Sequence, residues 1–297
     1  MADMRALQEG ERAAFHGRPA GGIAGLSAFL AESDAPASTA ALRARWLLGV
    51  CQGAAGRFGS AAATLTPLLA LKPGADDAAR HYAAQGATTL AAIHRQIGHF
   101  SQARDLDDWA GQVASDDPVM VFTSVLGLAA DAVGGHDRDL AAELIDKAGQ
   151  LCSTAPPWWR ERIRLGWVQA EVALTWGRPE EAIAALTRSV AEAEQLGAPR
   201  HVAKGLSFLA VAQREVGDPN SETTLGRAAL LAESLGAWPL VWVTRGLLTS
   251  WLRDDSAAAE RQRSSAEQAV SIIAADLPPH LLPQWLARPD VAPLLRS

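Results

Sequence analysis

Few residues of this chain have the type and spacing that chemistry requires. His94 and His99 are close enough in sequence to suggest a shared metal ion, but Gly98 separates the helix of one from the turn of the other. Cys51 and Cys152 lie far apart in the sequence and form no CxxC motif or Cys/His cluster. We expect both to be buried free thiols of a protein in a reducing compartment. HExxH, GxSxG, GxGxxG and P-loop motifs do not occur. We therefore expect no metal site and no cofactor.

An acidic segment is the one remaining candidate for catalysis. Asp105-Leu106-Asp107-Asp108 matches the DxDD pattern of some terpene cyclases. The segment falls on a predicted helix in which Leu106 and Ala110 supply the buried face, so we expect a solvated acidic surface. On that interpretation, replacing Asp107 by alanine destabilises the fold by less than about 0.5 kcal/mol. An enzyme on a helical scaffold stays open as an alternative.

Tryptophan is unusually common, with ten residues against a single tyrosine. The tryptophans gather in two stretches, at Trp158, Trp159, Trp167 and Trp176 and at Trp238, Trp242 and Trp251. Most are expected to pack between long helices, since the indole ring buries a large apolar area. Tryptophan is also frequent at binding hot spots. The position of each tryptophan within the architecture therefore has to separate the two roles.

A short turn signature recurs at nearly equal intervals along the chain. Its glycine is followed by a polar residue and often by proline or an aromatic residue, at Gly17, Gly56, Gly98, Gly135, Gly177 and Gly217. Successive glycines lie 37 to 42 residues apart, and a degenerate seventh turn at 254–256 continues the series. Glycine closes a helix in the left-handed conformation, and proline suits the first turn of the next helix. The sequence therefore predicts a repeat protein.

Apolar residues follow helical spacing on both sides of these turns, and helix breakers mark a second boundary in each unit. The pattern predicts an all-α, right-handed α-solenoid of about seven helix-turn-helix pairs. First helices are predicted over 2–15, 36–54, 77–96, 118–133, 158–175, 199–216 and 238–253, and second helices over 19–32, 59–71, 101–114, 138–152, 179–196, 220–235 and 256–275. Residues 1–276 form the repeat domain, and the Pro-rich segment 277–297 is predicted to fold back as its C-terminal cap.

Residues 87–103 resemble the core of a tetratricopeptide repeat. The leucine, small residue, tyrosine, turn glycine, aromatic residue and second small residue of that motif correspond to Leu90, Ala91, His94, Gly98, Phe100 and Ala103. The period of about 40 residues is longer than the usual 34 of that family. This longer period and the phrase Ala-Glu-x-Leu-Gly-Ala, at 193–198 and 232–237, are similar to the sensor domains of LuxR-type ATP-dependent transcription regulators. No GxxxxGK[ST] loop occurs, so the resemblance implies the repeat scaffold and a sensor or adaptor role, without an ATPase or DNA-binding module.

Composition narrows the class of partner. Hydrophobic residues make up 48% and charged residues 20% of the chain, which argues against disorder. The formal net charge of −6 gives no overall attraction to nucleic acid or to an anionic membrane. No long apolar run and no signal peptide occur, so a cytoplasmic protein is expected.

First helices line the concave face of this architecture, and the resemblance implies which of their residues point inward. These residues lie 13, 10, 6, 3 and 2 positions before each turn glycine. The mapping gives a mostly basic and amide-rich set around two tryptophans: Arg43, Trp46, Gln85, Thr88, Arg95, Gln96, Arg164, Trp167, Glu171, Lys204, Ser207 and Arg214. Such a groove suits an extended peptide with acidic or carboxylate groups.

The sequence thus predicts a non-enzymatic adaptor that recognises a peptide or protein partner through its concave face, in signalling or regulation. Two other functions stay open at this point. The groove could serve a small-molecule sensor of a regulatory system, or the scaffold could carry an enzyme that uses the acidic segment at 105–108.

Overall fold

The computed structural model describes residues 2–70, 76–153, 158–252 and 255–295, which are helical and contain no strand. Their helices pair as α1 Ala2–His16 with α2 Ala20–Glu32, α3 Thr39–Ala54 with α4 Phe58–Leu69, α5 Asp77–Gln96 with α6 Phe100–Val113, α7 Pro118–Gly134 with α8 Arg138–Ser153, α9 Trp159–Thr175 with α10 Pro179–Gln195, α11 Pro199–Glu215 with α12 Ser221–Leu235, and α13 Trp238–Trp251 with α14 Ser256–Ala274. A short α15, Leu282–Leu286, and a 3-10 turn, Ala292–Leu295, follow. The predicted all-α repeat fold is confirmed, and the ends of the observed helices lie close to the predicted ones.

From repeat two to repeat six the turns between paired helices use the left-handed conformation, although not always at the predicted residue, whereas Gly17 of the first turn is not left-handed. Gly98 has a φ of +86°, which a residue with a side chain rarely adopts. In the fourth turn the left-handed residue is His136, with a φ of 60°, whereas Gly135 is not left-handed. The backbone amides of these turns donate to carbonyl groups of the preceding helix, which ends it. The recurring signature therefore marks the turns, but in the fourth turn it is shifted by one residue.

The helices form two layers. Each first helix contacts the first helix of the next repeat, from α1 to α3 and onward to α13. The second helices from α2 to α12 pack on their own partners and on the following first helices. Small residues allow this approach: Ala61, Ala103 and Ala182, at the fifth position after their turn glycines, have no exposed surface. The first helices line the concave side of the solenoid, and we call this side the inner face.

The solenoid winds back on itself, so that repeat one meets repeat six. Helix α1 contacts α11 directly. His16 Nδ1 donates to the carbonyl oxygen of Gly197 at 3.1 Å, and Arg200 Nη2 donates to the carbonyl oxygen of Ala14 at 3.3 Å. The inner face is therefore enclosed by helices on opposite sides instead of lying in an open groove.

The C-terminal segment makes a second closure. Trp285 has no exposed surface and packs at right angles to Trp242, with ring centres 6.4 Å apart, in a cluster that also contains Phe58 of α4. Directly before this segment, Asp276 accepts hydrogen bonds from the backbone N–H and the hydroxyl of Ser60, at 2.8 and 2.6 Å. The segment predicted as a cap of the last hairpin thus contacts that hairpin and also joins it to repeat two.

Within the described ranges, none of the helices combines a membrane-spanning length with enough apolar character to cross a bilayer.

Candidate functional site: the inner face

Aromatic rings from four first helices meet at the centre of the inner face. Phe15 of α1 lies 6.0 Å from Trp46 of α3, 6.5 Å from Trp159 of α9 and 6.4 Å from His201 of α11, between ring centres. Trp167 stacks on His201 at 5.5 Å. These contacts show that the first helices of repeats one, two, five and six converge. We call these five residues the inner aromatic cluster.

The two tryptophans of the predicted groove are walls of this enclosure and not a free surface. Trp46 and Trp167 are only 6% and 7% exposed. Trp46 Nε1 donates to Thr89 Oγ1 at 3.2 Å. The groove predicted around both rings is thus enclosed, because α1 contacts α11 across the concave side.

Several other residues of the predicted set serve packing or lie at its margin. Gln85, Thr88 and Ser207 are buried, and the hydroxyls of Thr88 and Ser207 donate to carbonyl groups of their own helices. Gln96 and Arg214 are exposed; Gln96 donates to a carbonyl of its own helix, and Arg214 lies over Trp251 of repeat seven.

Arg43 is held by an ion pair that joins two neighbouring first helices. Its Nη2 lies 2.6 Å from Glu11 of α1. The structure brings the remaining members of the predicted set, Arg95, Arg164, Glu171 and Lys204, to the enclosed region.

Arg95 belongs to a compensated charge cluster, which we call the Arg95 cluster. Its Nη1 lies 2.5 Å from Asp107 Oδ2 of α6 and 3.0 Å from Asp131 Oδ1 of α7. Asp107 is fully buried, so the prediction of a solvated acidic surface was wrong for this residue, whereas Asp105 and Asp108 are exposed. The buried stripe of α6 runs through Ala103, Asp107 and Ala110 because Arg95 reaches across from α5 to supply a counter-charge.

The space beside Asp107 is provided by the absence of a side chain at Gly127 of α7. A Cβ atom there would approach the carboxylate oxygen Asp107 Oδ2 to 2.1 Å. The cluster therefore links α5, α6 and α7, and it depends on close approach of the α7 backbone.

The two carboxylates of this cluster are not fully satisfied. Asp107 Oδ1 and Asp131 Oδ2 are buried without a hydrogen-bond partner in the described part of the chain. Burial raises the pKa of Asp107 to about 7 against the opposing effect of Arg95, and it raises the pKa of Asp131 as well. Burial alone would lower the pKa of Arg95, but the two carboxylates raise it. Arg95 therefore stays charged, and one proton on the carboxylate pair would balance the cluster.

A second charged region on repeats five and six has the opposite balance. Arg160 and Arg164 of α9 stand at the same register before Gly177 as Arg200 and Lys204 of α11 stand before Gly217. All four are half-buried. Among the described residues, no carboxylate oxygen lies within 4.0 Å of any of their side-chain nitrogens. We call these residues the four-cation cluster.

Aromatic faces, and not carboxylates, hold two of these cations in place. Lys204 Nζ lies 4.6 Å from the ring centre of Trp167 and 5.7 Å from that of Phe208. Arg160 Cζ lies 4.3 Å from the ring centre of Phe15 and 5.3 Å from that of Trp46. Cation–π contact positions a charged group without neutralising it. The four-cation cluster is thus ordered but uncompensated.

The uncompensated charge shows in the pKa values. The pKa of Lys204 is lowered to about 8, chiefly by burial and in addition by Arg164, Arg95 and Arg200, and Glu171 opposes this shift. Burial also lowers the pKa of Arg164 to about 10, where Glu161 opposes the shift and Arg160 adds to it. Charging these groups together therefore carries a free-energy cost that a bound anion would relieve.

Sequence mapping missed half of the four-cation cluster. Arg164 and Lys204 occupy the mapped position that lies 13 residues before the turn glycine. Arg160 and Arg200 lie one helical turn further from that glycine, outside the mapped positions. A basic residue followed by another one helical turn later, at the same register in two successive repeats, is the signal that identifies them. His201 and Phe15 carried no such signal, because their role depends on the closure between α1 and α11.

Among the described residues, no group of three or more His, Cys, Asp or Glu side chains is placed to hold a metal ion. His94 and His99 stack with ring centres 5.8 Å apart, and His99 Nε2 lies 3.0 Å from Gln284 Oε1 of the C-terminal segment.

Comparison with known proteins places the fold. No protein-family model matches the sequence, and no curated protein matches it. The chain is a helical-repeat protein whose fold is shared with a Rap protein solved in complex with competence and sporulation factor: the TM-score is 0.63 at 12% identity, covering 96% of this chain and 85% of that one. The apo form of RapI gives a TM-score of 0.48 at 10% identity, covering 91% and 77%. The first likeness shows a tetratricopeptide-like scaffold.

Proposed function

We propose that this chain is a non-enzymatic regulatory protein that binds a peptide or protein partner through its inner face. The observation that carries the proposal is the four-cation cluster, which is ordered by aromatic rings and lacks carboxylate partners among the described residues. A partner with acidic or carboxylate groups would complete it through charge-assisted hydrogen bonds. The Rap protein with the same fold was solved with a peptide, which supports a peptide as the partner class.

Two further observations support a binding role over the alternatives. The acidic segment that favoured an enzyme does not form a shared site, because Asp107 is buried on Arg95 whereas Asp105 and Asp108 are exposed. The free thiols of Cys51 and Cys152 fit a reducing, cytoplasmic location. We propose one repeat domain, 1–276, with 277–297 as its cap.

A small-molecule sensor is the second candidate, in line with the resemblance to the sensor domains of LuxR-type regulators. The enclosure of the inner face favours it, because an enclosed site suits a small ligand better than a long peptide.

A binding screen with defined peptides tests the proposal. Short peptides with aspartate or glutamate would be compared with matched asparagine or glutamine peptides, by anisotropy, on wild type and on Arg164→Gln. We expect acidic peptides to bind wild type and to lose about tenfold or more in affinity on the variant. Arg188→Gln, an exposed arginine of the outer helix α10, is the matched control.

An outer cleft of about 340 Å³ between α10, α11 and α12 provides the competing surface for that test. Thr223→Arg places a large side chain in its lining without touching the inner face. If acidic peptides bind and only Thr223→Arg weakens them, the partner docks on the outer surface and the proposal is wrong.

A further inference from the structure

The four-cation cluster lies on two neighbouring helices at matching positions. Arg160 and Arg164 are one helical turn apart on α9, and Arg200 and Lys204 are one turn apart at the same register on the neighbouring helix α11. Side chains at this spacing lie roughly 6 Å apart along a helix, and adjacent helices lie roughly 8–10 Å apart. Because the four charged groups start from these positions and shift one another's pKa, they share one patch of the inner face.

The charge around this patch does not balance. The carboxylates that act on the four cations are Glu11, Glu161, Glu171 and Asp107. None of them is within ion-pair distance of the cluster in the described part of the chain, and Asp107 is already committed to Arg95. Three or four positive charges thus face one another, whereas the protein as a whole is negative.

Hydrogen-bond donors at the same place also lack acceptors. Arg200 Nε and Trp167 Nε1 are buried N–H groups without a partner among the residues that the structure describes, and His201 Nδ1, in the ring stacked on Trp167, is unpaired too. Buried donors in folded proteins are nearly always paired, so a group of unpaired ones calls for an explanation. Unpaired donors beside a surplus of cations make this patch complementary to an anion.

We propose that the four-cation cluster is a binding site for a compact dianion, either a phosphoryl group or two adjoining carboxylates. The inference deepens the proposed function and rests on it. A single carboxylate would engage two cations and leave the others repelling one another, whereas a dianion with three or four oxygens can face both helices. Arginine supplies the forked donors that suit such oxygens, and the Lys204 ammonium supplies a point charge.

Binding of a dianion would be linked to proton uptake. The pKa of Lys204 is held at about 8 by burial and by Arg164, Arg95 and Arg200, and Glu171 opposes them. A bound anion attracts the ammonium form and raises this pKa. Near pH 8 the complex should therefore take up a fraction of a proton, whereas at pH 6.5 Lys204 is already charged and the uptake should vanish.

Titration of the full chain with inorganic phosphate tests the site, at constant ionic strength maintained with KCl. Tryptophan fluorescence reports binding, because Lys204 lies over Trp167 and Arg160 lies over Trp46. We expect a saturable change in wild type and an affinity at least about tenfold weaker in Arg164→Gln/Lys204→Met. Arg188→Gln/Lys147→Met, with both changes on exposed outer-helix residues, should match wild type.

Calorimetry in two buffers of different ionisation enthalpy then measures the protons exchanged on phosphate binding at pH 8 and pH 6.5. Phosphate itself releases protons when it binds as the dianion, so the uptake at Lys204 is the difference between wild type and Lys204→Met. Lys204→Met alone should bind phosphate without the uptake, and it serves as the probe if the double variant does not fold. A phosphate response that is absent, does not saturate, or is equal in wild type and inner variants would overturn the proposal.

Defined peptides separate the two sources of a dianion and separate this inference from the proposed function. One peptide carries phosphoserine, one ends in aspartate with a free carboxylate, and one is neutral and amidated. Binding of either anionic peptide, competed by phosphate, supports the dianion site and identifies its source. Binding of all three without competition would retain the proposed function and reject the site. Phosphate binding without any peptide binding would retain the site and reject a peptide as the partner.

Discussion

Two charged regions of the inner face both contain arginines from first helices, and they have opposite electrostatic balance. In the Arg95 cluster, one arginine from α5 faces two buried carboxylates from the next two helices. In the four-cation cluster, four basic side chains from α9 and α11 face one another over aromatic rings. Compensated charge is a device for joining repeats, because removing either sign leaves a buried ion. Uncompensated charge makes no such joint, and its free-energy cost is relieved only by something outside the fold.

The sharpest way to break this comparison is to remove Arg95. Arg95→Met leaves Asp107 and Asp131 facing each other without a cation, which should lower the free energy of unfolding by about 3–5 kcal/mol at pH 7.5. Urea denaturation measures the change. Arg188→Met, on the exposed face of α10, should stay within about 0.5 kcal/mol of wild type. A loss in Arg95→Met as small as that of the control would show that the cluster does not hold the repeats together.

An apolar substitution in the core gives a reference value for that loss in the free energy of unfolding. Leu90 is 5% exposed and packs with Trp46 in the core of repeats two and three. Leu90→Ala should lower the unfolding free energy by about 2–5 kcal/mol through the cavity that it leaves. The same urea series measures it, and unlike Arg95→Met its effect should not depend on pH between 5 and 7.5. A cost below about 1 kcal/mol would contradict the assigned burial.

The Asp107 carboxyl should give the Arg95 cluster a pH dependence of its own. Its pKa is about 7 in the folded chain, against an ordinary value of 3.8, so the folded state binds the proton more tightly. The stability that this group contributes is fully present below pH 4 and is lost as pH rises through about 7. Asp107→Asn removes the titration. The unfolding free energy of wild type minus that of the variant should fall across this window, and parallel pH profiles would refute the shift.

Removing a cation from the four-cation cluster should have the smallest effect on stability. Arg164→Met deletes repulsion with Arg160 and Lys204 and breaks no ion pair of the described residues. The free energy of unfolding should stay level or rise by up to about 1 kcal/mol, while phosphate affinity falls. Thermal and urea melts beside the phosphate titration measure both. A loss as large as that of Arg95→Met would show that Arg164 is compensated after all, and the contrast between the two regions would disappear.

The sequence was sufficient for the repeat and for the helices, because each helix is determined by its own periodicity and turn. It was not sufficient for the inner face. Whether Asp107 is solvated depends on Arg95 reaching it from another helix and on the small Gly127 opposite, and neither signal is local. Whether Trp46 is open depends on α1 meeting α11, which results from small rotations accumulated over successive repeats. Arg160 and Arg200 could have been predicted from the sequence, because they occupy the same position in two successive repeats.

Two closures, α1 on α11 and the C-terminal segment on repeat two, join both ends of the repeat array to distant repeats. A linear array of repeats contacts only its neighbours, so its ends fray first and its stability is a sum along the chain. Joining distant turns removes those free ends, because repeat one cannot loosen without losing its hold on repeat six. The closed array should therefore unfold as one cooperative unit. Amide hydrogens in repeats one and seven should exchange as slowly as those in the middle repeats.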